Sequence, residues 1–336
     1  MVKTTFRYFK IVFFLGIGVF FIWLFLHNLT PSEKSEIIQS FAEANYIWVL
    51  FSIFFGLIAH ILRALRWNLM LAPMKYHPRL LNTFSAVMIG YMANLALPRL
   101  GEITRCGVLN RYEKIPINKS IGTVIAERSV DLIMFFILFF LTIFVFVTKM
   151  QGYYEQKFMG PMEDKFSLSG KMGLYGLVTV FIVLLIVTLL IIYRKKLIKI
   201  KLYAKAEELA VGLWHGLKSI AFIPKPGLFI FYSVLIWVMY YFMTYFCFLC
   251  FIETEHLGFG AGMAVLMFGT IGIMLVQGGI GIYPAIVAET LIVYGIANTT
   301  GYALGWLTWS AQTLLIIIFG SLSFLMLPFI NSKKHG

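Results

Sequence analysis

Long apolar stretches, separated by short polar segments, extend over most of this 336-residue chain. A helix needs about 20 mainly apolar residues to cross the hydrocarbon core of a bilayer. Six stretches come close to that length, namely 11–29, 46–62, 121–148, 173–193, 228–252 and 302–328. In lipid a helix satisfies its own backbone hydrogen bonds. We therefore predict an all-α, polytopic transmembrane helix bundle with about six full spans.

Two further apolar segments, 80–98 and 259–298, are interrupted by polar residues, glycine or proline. Pro98 disfavours helical geometry at the residue before it and so ends the first run. The second run is interrupted at Gln277-Gly278-Gly279-Ile280-Gly281. Irregular backbone at membrane depth persists only where protein or water surrounds it. Both segments are therefore predicted to be broken helices that are enclosed by the rest of the protein.

Basic residues indicate which loops face the cytoplasm, because cytoplasmic loops carry an excess of lysine and arginine. The segment 194–227 holds eight basic residues and two acidic ones, and a full crossing at 80–98 would place it outside. If 80–98 instead enters from the cytoplasm and returns, 22 of the 28 basic residues lie on the cytoplasmic side. They belong to the N-terminus, 63–79, 99–119, 194–227 and the C-terminal tail. We therefore predict a re-entrant hairpin, with both termini in the cytoplasm.

The segment 259–298 is predicted to be re-entrant from the outer side, because the preceding turn 253–258 is acidic and only one crossing follows it. Broken helices that enter from opposite faces in corresponding halves are typical of inverted-repeat transporters. The domain prediction is one integral membrane domain over 1–336, beginning with the helix 11–29. Its parts are a first half 46–193 with re-entrant segment 80–119, a basic amphipathic segment 194–227, and a second half 228–330 with re-entrant segment 259–298.

Composition excludes several other classes of protein. Apolar residues make up 60% of the chain and charged residues 13%, whereas a soluble domain has roughly a quarter charged residues. The net charge of +13 lies mainly in the predicted membrane loops, where it suits anionic lipid headgroups better than nucleic acid. The three cysteines form no disulfide framework, and there is no P-loop or clustered set of metal ligands. We predict no cofactor, no metal and no enzymatic activity.

Charged residues inside the apolar runs are the first candidates for function, because a charge in hydrocarbon costs at least about 2.5 kcal/mol and normally faces a partner or a watery cavity. Glu127, Arg128 and Asp131 lie at the head of span 121–148. Glu127 and Asp131 share a helix face, and Arg128 can pair with Asp131 three residues on. One interpretation is an ion pair that holds the start of the helix. The other is a polar lining that touches a lipid headgroup or relays a proton, with the acids also holding basic residues of the first re-entrant segment.

Four further residues belong to the first break, namely Asn94, Arg99, Glu102 and Arg105. A new helix that starts after the break would present free N–H groups to an anion, and arginines beside it would strengthen the site. The alternative is a purely structural hairpin. Arg63 and Arg66, at the inner end of span 46–62, are interpreted either as interfacial anchors or as a phosphate-binding pair.

The second break supplies Gln277, Gly278, Gly279 and Gly281, where glycine permits positive φ and a close backbone approach. Glu289 follows as the only acidic residue between Glu255 and the C-terminus. These residues complete the predicted substrate-binding set.

Taken in order, the motifs resemble those of the lysylphosphatidylglycerol synthase transmembrane-domain family, also called flippase-like membrane proteins. The resemblance covers roughly residues 45–330 and depends on Arg63-Ala64-Leu65-Arg66-Trp67, on Asn94 with Pro98-Arg99-Leu100-Gly101-Glu102 and Arg105, on Glu127-Arg128 with Asp131, and on Gly278-Gly279-Ile280-Gly281.

The resemblance implies a lipid-translocating domain in the bacterial inner membrane. The family's bifunctional members also carry a soluble aminoacyltransferase domain, for which this chain has no room, so we expect a stand-alone member without synthase activity. The expected function is a flippase-like transporter of a phospholipid or related lipid. Its arginines Arg99, Arg105 and Arg128 would neutralise phosphate, and Glu102, Glu127 and Asp131 would hold them or accept a cationic part of the headgroup.

Two alternatives remain open at the sequence level. One is an intramembrane enzyme acting on a lipid or polyprenyl phosphate, with Glu127 or Asp131 as general base. The other is a membrane assembly protein that transports nothing. The expected partners are membrane phospholipids with anionic headgroups, and a homo-oligomer is left open.

Overall fold

The structure is a computed structural model that describes residues 30–97, 99–154 and 223–332, together with Trp23 and His27. The predicted spans 11–29 and 173–193 and nearly all of segment 194–227 lie outside these residues. In the described ranges the chain is helical and has no strand, which confirms the all-α prediction there. The helices are α1 Pro31–Glu43, α2 Ile47–Leu71, α3 Leu80–Ala96, α4 Leu100–Glu113, α5 Ile117–Tyr154, α6 Pro226–Phe248, α7 Phe259–Leu275, α8 Ile282–Ile292 and α9 Asn298–Asn331.

Within the described ranges, three helical stretches are long and apolar enough to cross a membrane: Ile47–Met74, Pro226–Phe248 and Asn298–Asn331. They correspond to the predicted spans 46–62, 228–252 and 302–328. Helix α5 contains the predicted span 121–148 and, at 38 residues, is about 57 Å long. The helices expose large apolar side chains such as Phe140, Phe144 and Phe329, as expected for surfaces that meet lipid.

Helix α2 continues well beyond the apolar run that predicted it, to Leu71 instead of residue 62. The extension carries Arg63 and Arg66, whose side chains are buried against other helices. The hydropathy of the chain drops at these arginines, but the helix does not end, because its charged face is covered by protein.

Helices α3 and α4 form the first hairpin and pack closely against each other. Helix α3 ends at Ala96, the next residue Leu97 has an extended backbone (φ −144°, ψ 129°), and Arg99 then adopts a left-handed conformation (φ 64°, ψ 9°). Gly90 and Gly101 allow the close approach, since a Cβ atom on Gly101 would overlap the carbonyl oxygen of Gly90. The predicted break after 80–98 is therefore a tight turn between two packed helices.

Helices α7 and α8 form the second hairpin, with a 3₁₀ turn at Gln277–Gly279 between them. Helix α7 is also followed by an extended residue, Val276 (φ −119°, ψ 136°), and the residue two positions later, Gly278, is left-handed (φ 69°, ψ 2°). At both breaks an extended residue is thus followed two positions later by a left-handed one, but the chain re-enters a helix at once after Arg99 and only after two more residues of positive φ, Gly279 and Gly281, in the second break.

Polar contacts join the start of α3, the end of α4 and the end of α9. The Asn82 side chain donates hydrogen bonds to Glu113 and to Asn331. Lys114, which follows α4, therefore lies at the same end of the bundle as the start of α3. A hairpin that enters and leaves the bundle at one end has this geometry.

The second hairpin begins and ends at the opposite end of the bundle. Glu289, near the end of α8, accepts a hydrogen bond from Asn298 at the start of α9, and Thr299 donates to Glu36 of α1. Leu257, just before α7, packs into the same apolar core as Ile37 of α1. The side of the membrane that each end faces and the inverted-repeat relation of the two halves stay predictions.

Helix α1 is an amphipathic helix that lies against the start of α9. Thr30 and Glu33 form a capping box, in which the backbone and hydroxyl groups of Thr30 donate to the Glu33 carboxylate. These two hydrogen bonds hold the pKa of Glu33 below its usual value, because they favour the ionised form.

Candidate functional site

Buried charged residues from three helices meet at the centre of the bundle. Arg63 and Arg66 come from α2, Arg105 from α4, and Glu127 and Asp131 from α5, and we call these five residues the arginine–carboxylate cluster. Residues three or four positions apart lie on one helix face, so each helix presents its charges in one direction. The cluster therefore joins the first hairpin to the two long helices beside it.

Glu127 is the centre of this cluster, because all three arginines contact its carboxylate. Oε1 lies 2.8 Å from Nη1 of Arg63 and 3.3 Å from Nη2 of Arg66, and Oε2 lies 3.0 Å from Nη2 of Arg105. Asp131 contacts two of the same arginines, with Oδ2 2.6 Å from Arg63 Nη1 and Oδ1 2.7 Å from Arg66 Nη2. Arg63 and Arg66 thus share two carboxylates, and Arg105 has one.

Neutral groups from α6 accept further hydrogen bonds from the two α2 arginines. Arg63 Nη2 donates to the Tyr240 hydroxyl over 3.3 Å, and Arg66 Nη1 donates to Ser233 Oγ over 3.2 Å. Bonds of this kind satisfy guanidinium donors that the carboxylates do not reach. Helix α6 is therefore part of the wall around the cluster.

An aromatic ring supports Arg105. The guanidinium carbon of Arg105 lies 4.6 Å from the centre of the Trp67 ring, within the range of a cation–π contact. The indole N–H of Trp67 donates to Thr123 over 2.8 Å, which fixes the ring. Arg105 is thus held between a carboxylate and an oriented indole.

The cluster is sealed from the outside and carries unequal charges. The side chains of Arg66 and Glu127 are fully buried, those of Arg63 and Arg105 are 5% and 4% exposed, and that of Asp131 is 12% exposed. Among the described residues, three guanidinium groups face two carboxylates, which leaves one positive charge in this part of the structure. An uncompensated buried charge is unfavourable in a low-dielectric interior, so one further negative charge would stabilise this site.

A small pocket of about 10 Å³, enough for about one water molecule, lies beside the cluster, between α3, α4 and α5. Arg105 and Arg128 contribute the charged part of its wall, and the remaining lining residues are Val87, Gly90, Tyr91, Asn94 and Gly101. Arg128 pairs with Glu102 over 3.3 Å, and their side chains are 41% and 30% exposed. This pair lies at the outer side of the pocket, and the sealed cluster lies at its inner side.

The turn of the first hairpin uses one of its free N–H groups internally. Gly101 N donates to Asn94 Oδ1 over 2.7 Å, so this N–H at the start of α4 already has an acceptor. Arg99 is exposed, and it makes none of the ion pairs found among the described residues. The predicted anion site with Arg99 and Arg105 side by side is therefore replaced by a pocket in which Arg105 and Arg128 are the neighbours.

The predicted intrahelical pair of Arg128 with Asp131 is not formed. Asp131 turns toward Arg63 and Arg66, and Arg128 turns toward Glu102 on α4. Contacts between helices replace the contact along α5, because α2 brings two buried guanidinium groups to the same carboxylate. The suggestion that the acidic pair holds a basic residue of the first re-entrant segment agrees with the contact between Glu127 and Arg105.

The second break lies close to the first break but contributes no charged group to the described part of the cluster. Gly278, Gly279 and Gly281 all have positive φ, and the carbonyl of Gly278 accepts a hydrogen bond of 2.6 Å from Trp309. The backbone of the break contacts α3, where a Cβ on Gly278 would lie 3.9 Å from Leu95. The side chain of Gln277 lies outside the described atoms.

Glu289 is exposed near the far end of α8, where it accepts a hydrogen bond from Asn298. The described ion pairs do not connect it to the arginine–carboxylate cluster. Its position at the opposite end of the bundle makes it a poor candidate for the same site.

Several neighbours of the cluster were missed in the sequence analysis, namely Tyr91, Ser233, Tyr240 and His60. His60 is buried, and its ring centre lies 4.8 Å from that of Tyr91. It lies three residues before Arg63 on the same face of α2, a spacing that could have identified it. Nothing in the sequence around Ser233 and Tyr240 indicated that they would contact the arginines of α2. The described residues contain no group of three or more His, Cys, Asp or Glu side chains suited to a metal.

Long apolar helices that enclose a charged cluster and two short hairpins define a multi-pass helical membrane protein. The chain belongs to the family of the lysylphosphatidylglycerol synthase transmembrane region, whose profile matches residues 9–320. This confirms the resemblance inferred from the sequence motifs.

The chain is also similar to a UPF0104 membrane protein of Methanocaldococcus jannaschii. The two are 27% identical over 115 residues, which cover 33% of this chain and 34% of that protein. The match thus spans about a third of the relative's length. No solved structure matches the chain.

Proposed function

We propose that this protein moves a phospholipid or related lipid between the leaflets of a membrane, without itself modifying the lipid. The headgroup phosphate would bind at the mouth of the pocket between α3, α4 and α5, where Arg128 is exposed, and the acyl chains would stay in the bilayer. The observation that carries the proposal is a pocket lined by two arginines next to a buried cluster in which the described arginines outnumber the described carboxylates by one. The phosphate of a lipid supplies the missing negative charge.

The surface around the pocket suits a ligand with a polar head and apolar tails. Ile103 and Ile125 are 59% and 60% exposed. Ile125 is one turn from Arg128 in α5, so an exposed apolar side chain flanks the ion pair, and Ile103 is exposed on the neighbouring helix α4. A headgroup could reach the arginines while its tails remain against these isoleucines.

The buried cluster divides the predicted site residues into two groups with different expected roles. Arg63, Arg66 and Asp131 bond to one another or to Glu127, and they hold α2 and α5 together. Arg105, Arg128 and Asn94 line the pocket, and Glu102 pairs with Arg128. These four are the residues that we expect to contact the headgroup. The membrane potential is an adequate driving force for a charged ligand, since moving one elementary charge across 100 mV changes its free energy by about 2.3 kcal/mol.

A non-transporting assembly protein is the second candidate, and the burial of the cluster favours it. A set of ion pairs that is only 0–12% exposed can serve purely to lock helices. In that case the pocket would have no ligand, and its arginines would be replaceable without loss of any transport.

The test is reconstitution of the full chain into liposomes that contain acyl-labelled phospholipids, with a membrane-impermeant quencher added outside. Lipid movement increases the quenched fraction. We expect the purified protein to increase it and Arg128→Gln to reduce the rate, because Arg128 lines the pocket and is 41% exposed, so the fold tolerates its loss. Arg111→Gln is the matched control, since Arg111 is exposed on α4 and does not line the pocket.

Three results separate the candidate functions. Movement of lipid that Arg128→Gln slows and Arg111→Gln leaves unchanged supports a transporter. Absence of movement for every lipid tried, with correctly folded protein, refutes the proposal and favours the assembly protein. A covalently changed lipid in the recovered liposomes, detected by mass spectrometry, would instead indicate an enzyme.

A further inference from the structure

We infer that the pocket between α3, α4 and α5 binds a single chloride ion against the guanidinium group of Arg105. The inference goes beyond the proposed function and does not depend on it, because the ion can bind whether or not the protein moves lipid. It rests on the size of the pocket, on the polarity of its lining residues and on the burial of Arg105.

The size of the pocket restricts its occupant. A volume of about 10 Å³ suffices for about one water molecule. A halide ion is a single atom only slightly larger than a water molecule, whereas sulfate, phosphate and carboxylate groups contain several heavy atoms. Arg128, at the outer side, is 41% exposed, so its side chain can swing aside and admit an ion. A monatomic anion therefore fits this pocket after a small shift of its walls, and a polyatomic anion does not.

The residues around the pocket present hydrogen-bond donors and positive charge. Arg105 and Arg128 are the charged members of the described lining, and the carboxylate of Glu102 does not belong to it. Asn94 uses its side-chain oxygen to accept from the N–H of Gly101, so its other polar side-chain atom is an amide donor. An anion accepts from all such donors, whereas a water molecule must also place its own two hydrogen atoms. The polarity of the lining thus favours an anion over water.

Arg105 has both an unused donor and an unneutralised charge. Its side chain is 4% exposed, its hydrogen bond among the described residues runs from Nη2 to Glu127, and its Nε is buried without a hydrogen-bond partner. Arg63 and Arg66 each contact both carboxylates of the cluster, so the positive charge in excess among the described residues lies at Arg105. A chloride ion beside this guanidinium group would neutralise that charge.

The first experiment measures chloride binding directly. The purified full chain in uncharged detergent is transferred to sodium gluconate buffer, and equilibrium binding of radioactive chloride is recorded by scintillation proximity. We expect one saturable site, from which bromide displaces chloride and from which sulfate does not, because sulfate is too large for the pocket. Absence of saturable binding means that the pocket holds only water and overturns the inference. Displacement by sulfate as effective as that by bromide also overturns it.

Thermal unfolding gives a second measurement on the same protein. A ligand that binds the folded state alone raises the unfolding temperature by mass action. We expect the temperature to rise saturably with sodium chloride and sodium bromide, relative to sodium gluconate at the same ionic strength. Equal unfolding temperatures in all three salts would contradict a specific site.

Substitutions at the exposed ion pair should change the affinity in opposite directions. Arg128→Gln removes one lining arginine and should weaken chloride binding several-fold, whereas Glu102→Gln leaves Arg128 without its carboxylate and should strengthen binding. Both side chains are partly exposed, so both variants should fold. Arg111→Gln, an exposed arginine on α4 that does not line the pocket, should bind as the unchanged chain does. Unchanged affinity in both Arg128→Gln and Glu102→Gln would overturn the inference.

Replacement of the buried arginine is the strongest test. Arg105→Gln should lower the chloride affinity about tenfold or more, the size of one charge-assisted hydrogen bond. It should also abolish the rise in unfolding temperature with chloride. A folded Arg105→Gln protein that binds chloride as the unchanged chain does would refute the site. If this variant does not fold, the two variants at the exposed ion pair decide.

The chloride site and the transport proposal fail in different ways. A lipid phosphate at the mouth and a chloride ion inside would neutralise the same excess charge, so we expect them to compete. Chloride binding by a protein that moves no lipid in liposomes leaves the site standing and refutes transport. Movement of lipid by a protein that binds no chloride leaves transport standing and refutes the site.

Discussion

Replacement of Glu127 by glutamine is the most informative perturbation of this fold. Glu127 is fully buried and accepts from Arg63, Arg66 and Arg105. Glutamine keeps the shape of the side chain but removes its negative charge and directs an amide N–H₂ toward guanidinium groups. The substitution thus changes the electrostatics of the cluster with little change in packing volume.

The expected loss of stability follows from which arginines retain a carboxylate. Asp131 still serves Arg63 and Arg66, but Glu127 is the only carboxylate that Arg105 contacts among the described residues. Removal of one partner from a buried ion pair costs about 3 to 5 kcal/mol, because the remaining charge is uncompensated. That is a large part of a total stability of about 5–15 kcal/mol.

The assay is equilibrium unfolding in mixed micelles with a denaturing detergent, followed by helical circular dichroism. Glu102→Gln is the matched control, since its ion pair is 30–41% exposed and such pairs contribute about 0–1 kcal/mol. A double-mutant cycle with Arg105→Gln then isolates the pair, and we expect a coupling of about 1–3 kcal/mol. A loss no larger than that of Glu102→Gln, or no coupling with Arg105, would refute the assignment of Glu127 as the centre of the cluster.

Three further substitutions test the turns and helix contacts. Gly101→Ala should destabilise the protein by about 1–3 kcal/mol, because the added Cβ would meet the backbone of α3. Gly107→Ala on the same helix is the control: its Cβ would meet nothing within 4 Å, so this change should be neutral or stabilise by up to about 1 kcal/mol. Thermal unfolding compares the two variants. Trp309→Phe should cost about 1 kcal/mol, seen in the same unfolding assay, because the Gly278 carbonyl loses its indole donor. Arg99→Gly should raise the unfolding temperature, because it removes a side chain from a left-handed residue with φ 64°; an unchanged or lower temperature would contradict that reasoning.

Sequence patterns predicted the helices and the breaks because both depend on local properties. Apolar runs long enough for a bilayer predicted α2, α6 and α9, and Pro98 and the glycines after Gln277 predicted where helices stop. Helix spacing also predicted that Glu127 and Asp131 share a face. These signals lie within a few residues of the feature that they predict.

The choice of partner was not predictable in the same way. The spacing on α5 suggested that Arg128 pairs with Asp131, but Arg128 pairs with Glu102 because α4 packs alongside. Tyr240 and Ser233 join the cluster from α6, which is far away in sequence. Such contacts depend on how helices pack together. The apolar pattern of a helix predicts which of its faces is buried, but it does not predict which helix packs against that face.

The two breaks nevertheless show how similar backbone geometry can arise from different residues. In both, an extended residue ends the helix and a left-handed residue follows two positions later, and a glycine lies seven residues before the extended one, Gly90 in one hairpin and Gly269 in the other. The first break uses arginine at the left-handed position and the second uses glycine. Because arginine in that conformation is strained and glycine is not, a side chain at the first break has been retained at a cost in stability. Strain of this kind is typical of functional positions, so if the protein moves lipid as proposed, we expect loss of the Arg99 side chain to affect that movement more than the stability of the fold.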